Sequence, residues 1–186
     1  CAVDLGVDQV KIYKFNHETG KITLVDMLRC ELESAPRIIK FSPDGRFAYL
    51  ICELKNYISV YSYKDGPRGP VFELLQTIST LNDYHSSGSA ACVLRFSRDW
   101  KYVLCSNAGD NSIGIFKIDR ETGKLEKICI LPISGDYPKA ADFFPDNRHI
   151  MSLNHETNTM TIFKINYEKK YFSLWGKPLK VETPNC

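Results

Sequence analysis

The sequence lacks the features that would place the protein in a membrane, on nucleic acid or around a metal ion. No stretch of about 18 apolar residues occurs, so no transmembrane helix is expected. The net charge is only +2 and the basic residues are spread out, so neither nucleic acid nor a membrane surface is expected as a partner. The four histidines show no tight spacing to acids or cysteines, so no metal and no other cofactor is predicted.

The cysteines also lack the pattern of a disulfide framework or a metal site. There are seven, an odd number, and no two have CxxC spacing. Most lie in apolar segments, where a thiol behaves as a small hydrophobic side chain. We therefore predict reduced thiols in a cytoplasmic protein. No signal-peptide pattern is present at the N-terminus, and residues 1–4 read as a strand interior, so we expect the true start of the gene product to precede them.

What the sequence does contain is a repeat. An apolar strand, an Asp-centred turn and a second apolar strand recur at 39–50, 94–104 and 142–151. The turn Asp stands at positions 44, 99 and 146, so successive copies are 55 and 47 residues apart. Self-similarity of this length, with several strands in each unit, is typical of β-propellers. No stretch with helical periodicity competes with this pattern.

Each unit then continues with two more strands. The third opens on a polar residue and alternates, at 8–13, 56–61, 111–116 and 158–163. A Glu-Thr-Gly-Lys hairpin signal follows at 18–21 and 121–124, before a fourth, outer strand. The longest break, between residues 80 and 90, is rich in Ser, Gly, Asn and Asp and is predicted to be a loop between blades.

The repeats predict an all-β fold, a partial β-propeller of about three and a half four-stranded blades. Residues 1–186 form one domain, with blade fragments at about 1–30, 31–80, 90–132 and 135–183. Fewer than four complete blades leave open sheet edges, which would allow self-association if the chain is truncated. We expect the C-terminal part of a longer chain; completion of the ring by another chain is the alternative.

An ordered set of motifs resembles a known family. The motifs are Asp-Leu-Gly-x-Asp, Pro-Arg, Ser-Pro-Asp-Gly, Cys-Glu-Leu, Ser-Asn and a terminal Pro-Asn-Cys, which fall at 4–8, 36–37, 42–45, 52–54, 106–107 and 184–186. With Glu-Thr-Gly-Lys at 18–21, they are similar to the C-terminal half of the seven-bladed lactonase family. That family includes propeller-type 6-phosphogluconolactonases and fungal carboxymuconate lactonizing enzymes. The resemblance covers essentially the whole chain and implies a seven-bladed ring with about three blades before residue 1.

Counting from the turn Asp places candidate residues at equivalent points of the channel mouth. The predicted catalytic residues are Glu53, Arg95 and Arg37, and the predicted substrate-binding residues are Lys139, His85, His155, Asn107 and Asp4. His85 lies in the long loop and could titrate or contact a phosphate. For Asp4 a turn-capping role is the stronger interpretation, because an Asp at a strand end often accepts backbone N–H bonds.

The predicted catalytic groups each have a structural alternative. Arg95 interrupts an apolar strand, and a buried guanidinium needs either a wet channel or a carboxylate. Arg37 follows a proline and, in the family, faces the channel; it could instead be satisfied by loop carbonyls or a carboxylate. Glu53 near two arginines could act as a general base on water or form only a salt bridge with Arg37 or Arg95.

The resemblance implies a hydrolase that acts on a small-molecule lactone, a carboxylic ester, and we favour a 6-phosphogluconolactonase-like enzyme of carbohydrate metabolism. One alternative is a muconate-type lactone cycloisomerase on the same scaffold. Another is a non-catalytic propeller that binds a ligand or protein, since propellers host both kinds of function. Two departures bear on this choice. Ile38 stands where members often have His, and Val93 stands where they often have Glu.

Overall fold

Four antiparallel sheets follow one another along the chain. The computed structural model describes residues 1–67, 69–82 and 88–185. Sheet I contains β1 (Ala2–Asp4), a 3₁₀ turn (Leu5–Val7), β2 (Gln9–Phe15) and β3 (Ile22–Arg29). Sheet II contains β4 (Pro36–Phe41), β5 (Phe47–Cys52), β6 (Tyr57–Gly66) and β7 (Gly69–Ser79).

The second pair of sheets has the same antiparallel order with additional short strands. Sheet III contains β8 (Ala90–Ala91), β9 (Arg95–Phe96), β10 (Tyr102–Ala108), β11 (Ser112–Ile118) and β12 (Leu125–Pro132). Sheet IV contains β13 (Pro138–Phe143), β14 (His149–Asn154), β15 (Thr159–Asn166), β16 (Tyr171–Leu174) and β17 (Leu179–Lys180). The prediction of an all-β, partial propeller is confirmed, because each sheet is a meander of neighbouring strands.

Two details of the sheets differ from the sequence pattern. The apolar run at 93–96 was expected to form one strand, but only its last two residues do, as β9; β8 precedes the run on the same edge of β10. Ala91 is opposite Asn107 and Arg95 is opposite Leu104. The segment from Ala91 to Arg95 is therefore one residue longer than the facing part of β10, and this extra residue interrupts the hydrogen-bond ladder. In sheet IV, β17 adds to β15 beyond the four strands of the repeat.

The hydrophobic core lies between neighbouring sheets rather than within one layer. Sheets I and II enclose a cluster that contains Val10 and Leu50. Sheets II and III share the cluster of Tyr49, Ile51 and Phe116, and sheets III and IV form another that includes Ile115. Packing of sheets on both faces explains why β5 and β10 are buried along almost their whole length.

A polar residue at the start of each third strand secures the next unit. Asp8, Asn56, Asn111 and Asn158 all have left-handed φ angles of 52–53°, which Asn and Asp adopt more readily than most residues. The Asp8 carboxylate accepts the backbone N–H groups of Glu33 and Ala35 just before β4. Asn111 likewise accepts the N–H of Tyr137, just before β13. These bonds link sheet I to the inner strand of sheet II, and sheet III to the inner strand of sheet IV.

The turn carboxylates make the fold sensitive to acid. Hydrogen bonds from the Ser42 hydroxyl and the Arg46 guanidinium lower the pKa of Asp44 to about 2, and backbone N–H bonds also lower the pKa of Asp8. Because the folded pKa lies below the unfolded value of about 4, these groups stabilise the fold above that pH. Their contribution is lost as the pH falls through the folded pKa.

We therefore expect the melting temperature of the intact protein to fall steadily between about pH 4 and pH 2. Replacing Asp44→Asn removes one titrating group, so it should flatten the slope of melting temperature against pH in this range. Calorimetry or circular dichroism at several pH values would test this. A slope for the variant as steep as that of the parent protein would contradict a role for Asp44.

The cysteines of the described residues are free of disulfide bonds. Burial raises the pKa of Cys105 to about 12 and that of Cys129 to about 11, so both thiols stay protonated at neutral pH. Among the residues that the structure describes, no helix has the length and apolar character needed to span a membrane.

Candidate functional site

The candidate residues lie on or near the end of the sheets where the inner strands begin, here called the loop face. The inner strands are β4, β8 with β9, and β13, which come first in sheets II, III and IV. In β4, Pro36 and Ile38 are opposite consecutive residues of β5, so Arg37 is the extra residue of a β-bulge. Lys139 is the extra residue of the equivalent bulge in β13. A bulge redirects a side chain out of the regular alternation, and bulges are common beside active sites.

Arg37 and Glu53 form an ion pair at this face. Arg37 Nη1 lies 2.5 Å from Glu53 Oε2. The Glu53 backbone N–H donates to the Ala35 carbonyl at 2.8 Å, and its carbonyl accepts the N–H of Ala91 in sheet III at 3.0 Å. The main chain of Glu53 is therefore held by two sheets. The side chains of Arg37 and Glu53 keep 36% and 20% of their surface exposed, so a small molecule can reach the pair.

Arg95 lies deeper along its inner strand and pairs with a carboxylate of the next sheet. Its Nε is 3.4 Å from Asp142 Oδ2, and its Nη1 donates to the Leu94 carbonyl at 3.3 Å. The two side chains are 36% and 48% exposed. Of the two expectations for Arg95, a wet channel or a carboxylate partner, the structure shows the carboxylate partner.

Lys139 and His155 lie on the loop face of sheet IV. Lys139 Nζ is 5.6 Å from the centre of the Tyr137 ring, within the range of a cation–π contact. The His155 backbone N–H donates to the Tyr137 carbonyl, and its Nδ1 lies 3.1 Å from the Pro184 carbonyl. Because a carbonyl only accepts, Nδ1 carries the proton, and Nε2 is the acceptor nitrogen of the neutral ring.

Asn107 and Asp4, the candidates at the ends of second strands, have internal partners. Asn107 is fully buried, and its amide nitrogen donates to the Thr80 carbonyl at 2.8 Å and to Ser112 Oγ at 3.0 Å. Asp4 pairs with Lys11 at 2.8 Å, and this bond lowers the pKa of the Asp4 carboxyl. These contacts hold neighbouring strands together. His85 lies outside the described residues.

Of the predicted residues, the structure brings Arg37 and Glu53 into direct contact, whereas Arg95 pairs with a residue that was not predicted, Asp142. Sequence reasoning missed Asp142, although the signal was present. Asp142 stands four residues before its turn Asp, as Arg95 and Lys40 do in the other units. The position four residues before each turn Asp therefore gives a second set of equivalent inner-strand residues, to which Asp142 belongs.

The two departures from the family pattern lie against the core. Ile38 packs against the cluster between sheets II and III, and Val93 is buried in the cluster between sheets III and IV. A titratable side chain at Val93 would need a partner, because burial of an unpaired charge is costly. Apolar residues at both positions therefore suit the packing of this chain.

Two clefts open at the opposite end of the sheets, here called the turn face. One of about 1080 Å³ is bordered by Tyr102, Tyr167 and Trp175, and one of about 370 Å³ by Arg46 and Trp100. Neither is lined by Arg37, Glu53 or Arg95. The clefts therefore do not coincide with the predicted catalytic residues.

Comparison with known proteins gives one consistent result. The family model for "Lactonase, 7-bladed beta-propeller" matches residues 1–186. An uncharacterized protein of Lactococcus lactis subsp. cremoris is 37% identical over 86% of this chain and 46% of its own length. The 6-phosphogluconolactonase of Bacillus subtilis is 26% identical over 100% of this chain and 52% of its own length. The chain therefore spans about half the length of these relatives.

A solved structure agrees with the sheet architecture. The periplasmic gluconolactonase of Pseudomonas aeruginosa superposes with a TM-score of 0.89 and 24% identity, over 99% of this chain and 51% of that one. At this identity the likeness shows the fold alone. The four sheets described above therefore correspond to part of a complete propeller.

Proposed function

We propose, because this chain belongs to the seven-bladed β-propeller lactonase family, that the intact protein hydrolyses a sugar lactone. The first candidate substrate is 6-phosphogluconolactone, since the relative from Bacillus subtilis carries that activity in its name. The proposal concerns the intact protein, because the matched relatives are about twice as long as this chain.

The observation that carries the proposal is the Arg37–Glu53 pair at the bulge of β4. A carboxylate and a guanidinium 2.5 Å apart, both partly exposed on the loop face, provide a base and a cation within reach of one small molecule. The main chain of Glu53 is held by hydrogen bonds to Ala35 and Ala91, which restricts its movement. A fixed orientation is what general-base catalysis requires.

The proposed chemistry is addition of water to the lactone carbonyl. Glu53 takes a proton from water as the new carbon–oxygen bond forms, and the carbonyl oxygen becomes an oxyanion. Arg37 and Arg95 stabilise that charge. The oxyanion then reforms the carbonyl, the ring carbon–oxygen bond breaks, and the leaving oxygen takes the proton from Glu53. The product is the open hydroxy acid, and Lys139 and His155 provide polar contacts for the remainder of the substrate.

The test is lactone hydrolysis by the intact protein, measured against the spontaneous rate. Arg95→Ala should lower kcat/KM for 6-phosphogluconolactone by about 100-fold, the typical cost of removing a group aimed at developing charge. Lys64→Ala is a suitable control, because Lys64 on β6 pairs with Glu73 on β7 at 3.7 Å and both side chains are exposed. The control should keep the parent rate.

Three outcomes would contradict the proposed function or its mechanism. Hydrolysis by Arg95→Ala at the parent rate would remove Arg95 from the mechanism. Conversion of a muconate to its lactone without consumption of water, and without sugar-lactone hydrolysis, would assign a cycloisomerase. Absence of both activities in a folded protein would instead support a non-catalytic binding propeller.

A further inference from the structure

Asp142 is a charged residue that the proposed chemistry does not use. It stands on inner strand β13, at the position that Arg95 occupies on the inner strand of sheet III. Its Oδ2 lies 3.4 Å from Arg95 Nε, so the ion pair crosses from one sheet to the next. We propose that Asp142 is a positioning residue, which holds the Arg95 guanidinium in its working orientation; this inference rests on the proposed function.

The Asp142 carboxylate is itself oriented. Its Oδ1 accepts the backbone N–H of Phe143 at 2.8 Å, which leaves Oδ2 directed to Arg95. A carboxylate fixed by the main chain loses less side-chain freedom when it pairs than one on a flexible stem. This pair therefore differs from exposed pairs such as Lys64–Glu73, which lie 3.7 Å apart with side chains 68% and 64% exposed.

The pair leaves part of the guanidinium available to a substrate. Nε is opposite Asp142 and Nη1 is bonded to the Leu94 carbonyl, so two edges of the planar group are anchored. Among the described contacts of Arg95 none uses Nη2. An arginine has five N–H donors in a rigid fork, so anchoring one side determines where the other donors point.

The pair also lowers the net positive charge around Arg95, because Asp142 is negatively charged. Asp142 offsets the charge of Arg95, so the Nη2 edge should donate hydrogen bonds without binding every small anion that enters. Removal of Asp142 would leave Arg95 both less fixed and more attractive to simple anions. These two consequences are separable by experiment, and neither is expected of a residue that only supports the fold.

Kinetics of the intact protein test the inference. Asp142→Ala should lower kcat/KM for the lactone roughly 5- to 50-fold, between the weak coupling of exposed ion pairs and the loss caused by a displaced catalytic group. Asp142→Glu should restore most of the activity. Inhibition by inorganic phosphate should strengthen about two- to fivefold in Asp142→Ala, because the charge of Arg95 is no longer offset.

A double-mutant cycle identifies the route by which Asp142 acts. If Asp142 works through Arg95, the double variant Arg95→Ala/Asp142→Ala should be no slower than Arg95→Ala alone. Glu73→Ala serves as the control for removing a paired surface carboxylate. Additive losses, or unchanged phosphate inhibition in a folded Asp142→Ala variant, would overturn the inference while leaving the role of Arg95 intact. Hydrolysis by Arg95→Ala at the parent rate would instead remove Arg95 from the mechanism, and a folded intact protein without lactone hydrolysis would reject the proposed function itself.

Discussion

Glu53→Gln is expected to lower kcat for lactone hydrolysis by the intact protein by about 100- to 10,000-fold, the range for loss of a general base. The amide is nearly the same shape as the carboxylate, but it cannot take a proton from water. It can still accept one hydrogen bond from Arg37, which now lies 2.5 Å from the carboxylate. The loss should therefore fall on kcat more than on KM.

The control is Glu31→Gln, since Glu31 is paired with Lys55 and is also exposed. It makes the same chemical change at a carboxylate that the proposed mechanism does not use, so its rate should match that of the parent protein. Melting temperatures of both variants should be measured alongside the rates. A stable Glu53→Gln variant with the parent kcat would show that the Arg37–Glu53 pair is only structural.

Gly123→Ala is expected to lower the free energy of unfolding of the intact protein by about 2–4 kcal/mol. Gly123 has a φ of +73°, where any Cβ is strained, and an added Cβ would lie 2.4 Å from Phe47 Cδ1 in the neighbouring sheet. Phe47 belongs to the core between sheets II and III and is only 8% exposed, so it has little room to move. The Gly123 carbonyl also accepts the Tyr49 hydroxyl at 3.0 Å.

Gly20→Ala provides a matched control in the same Glu-Thr-Gly-Lys turn of sheet I. Gly20 has a similar φ of +68°, but nothing lies within 4 Å of an added Cβ. It should therefore cost only the backbone strain, about 1 kcal/mol. Chemical denaturation of the two variants measures the difference. Equal losses would show that Phe47 moves aside freely and that the contact between the sheets is unimportant at this point.

The fold was largely predictable because the information is local. Three features recur at similar spacing: the turn Asp, the alternating strands and the polar residue before each third strand. Each of them indicates the local backbone conformation directly. Asp8 and Asn111 illustrate this, since both have the left-handed φ that their side chains favour. The predicted strand over residues 93–96 was wrong in its extent, because strand pairing is not determined by the local pattern of apolar residues. Of the apolar run at 93–96 only Arg95 and Phe96 form a strand, because one extra residue between the pairs Ala91–Asn107 and Arg95–Leu104 breaks the ladder.

The candidate site was predicted less completely, because its contacts join different repeats. Counting from the turns identified Arg37 and Glu53, and the structure brings them into contact within sheet II. Counting did not identify Asp142 as the partner of Arg95, since nothing in the sequence states which carboxylate of the next repeat lies nearest. Burial of Asn107 was likewise invisible, because its partners Thr80 and Ser112 are set by sheet packing.

The sequence by itself determined that this is a propeller with its turns, strand order and family membership, since periodicity and turn chemistry act over a few residues. Only the tertiary structure decided which charges meet. The two bulges aim Arg37 and Lys139, and the packing of sheet III beside sheet IV places Asp142 against Arg95. The physical reason is that register and sheet-to-sheet packing depend on all the strands together, whereas a turn depends on four residues.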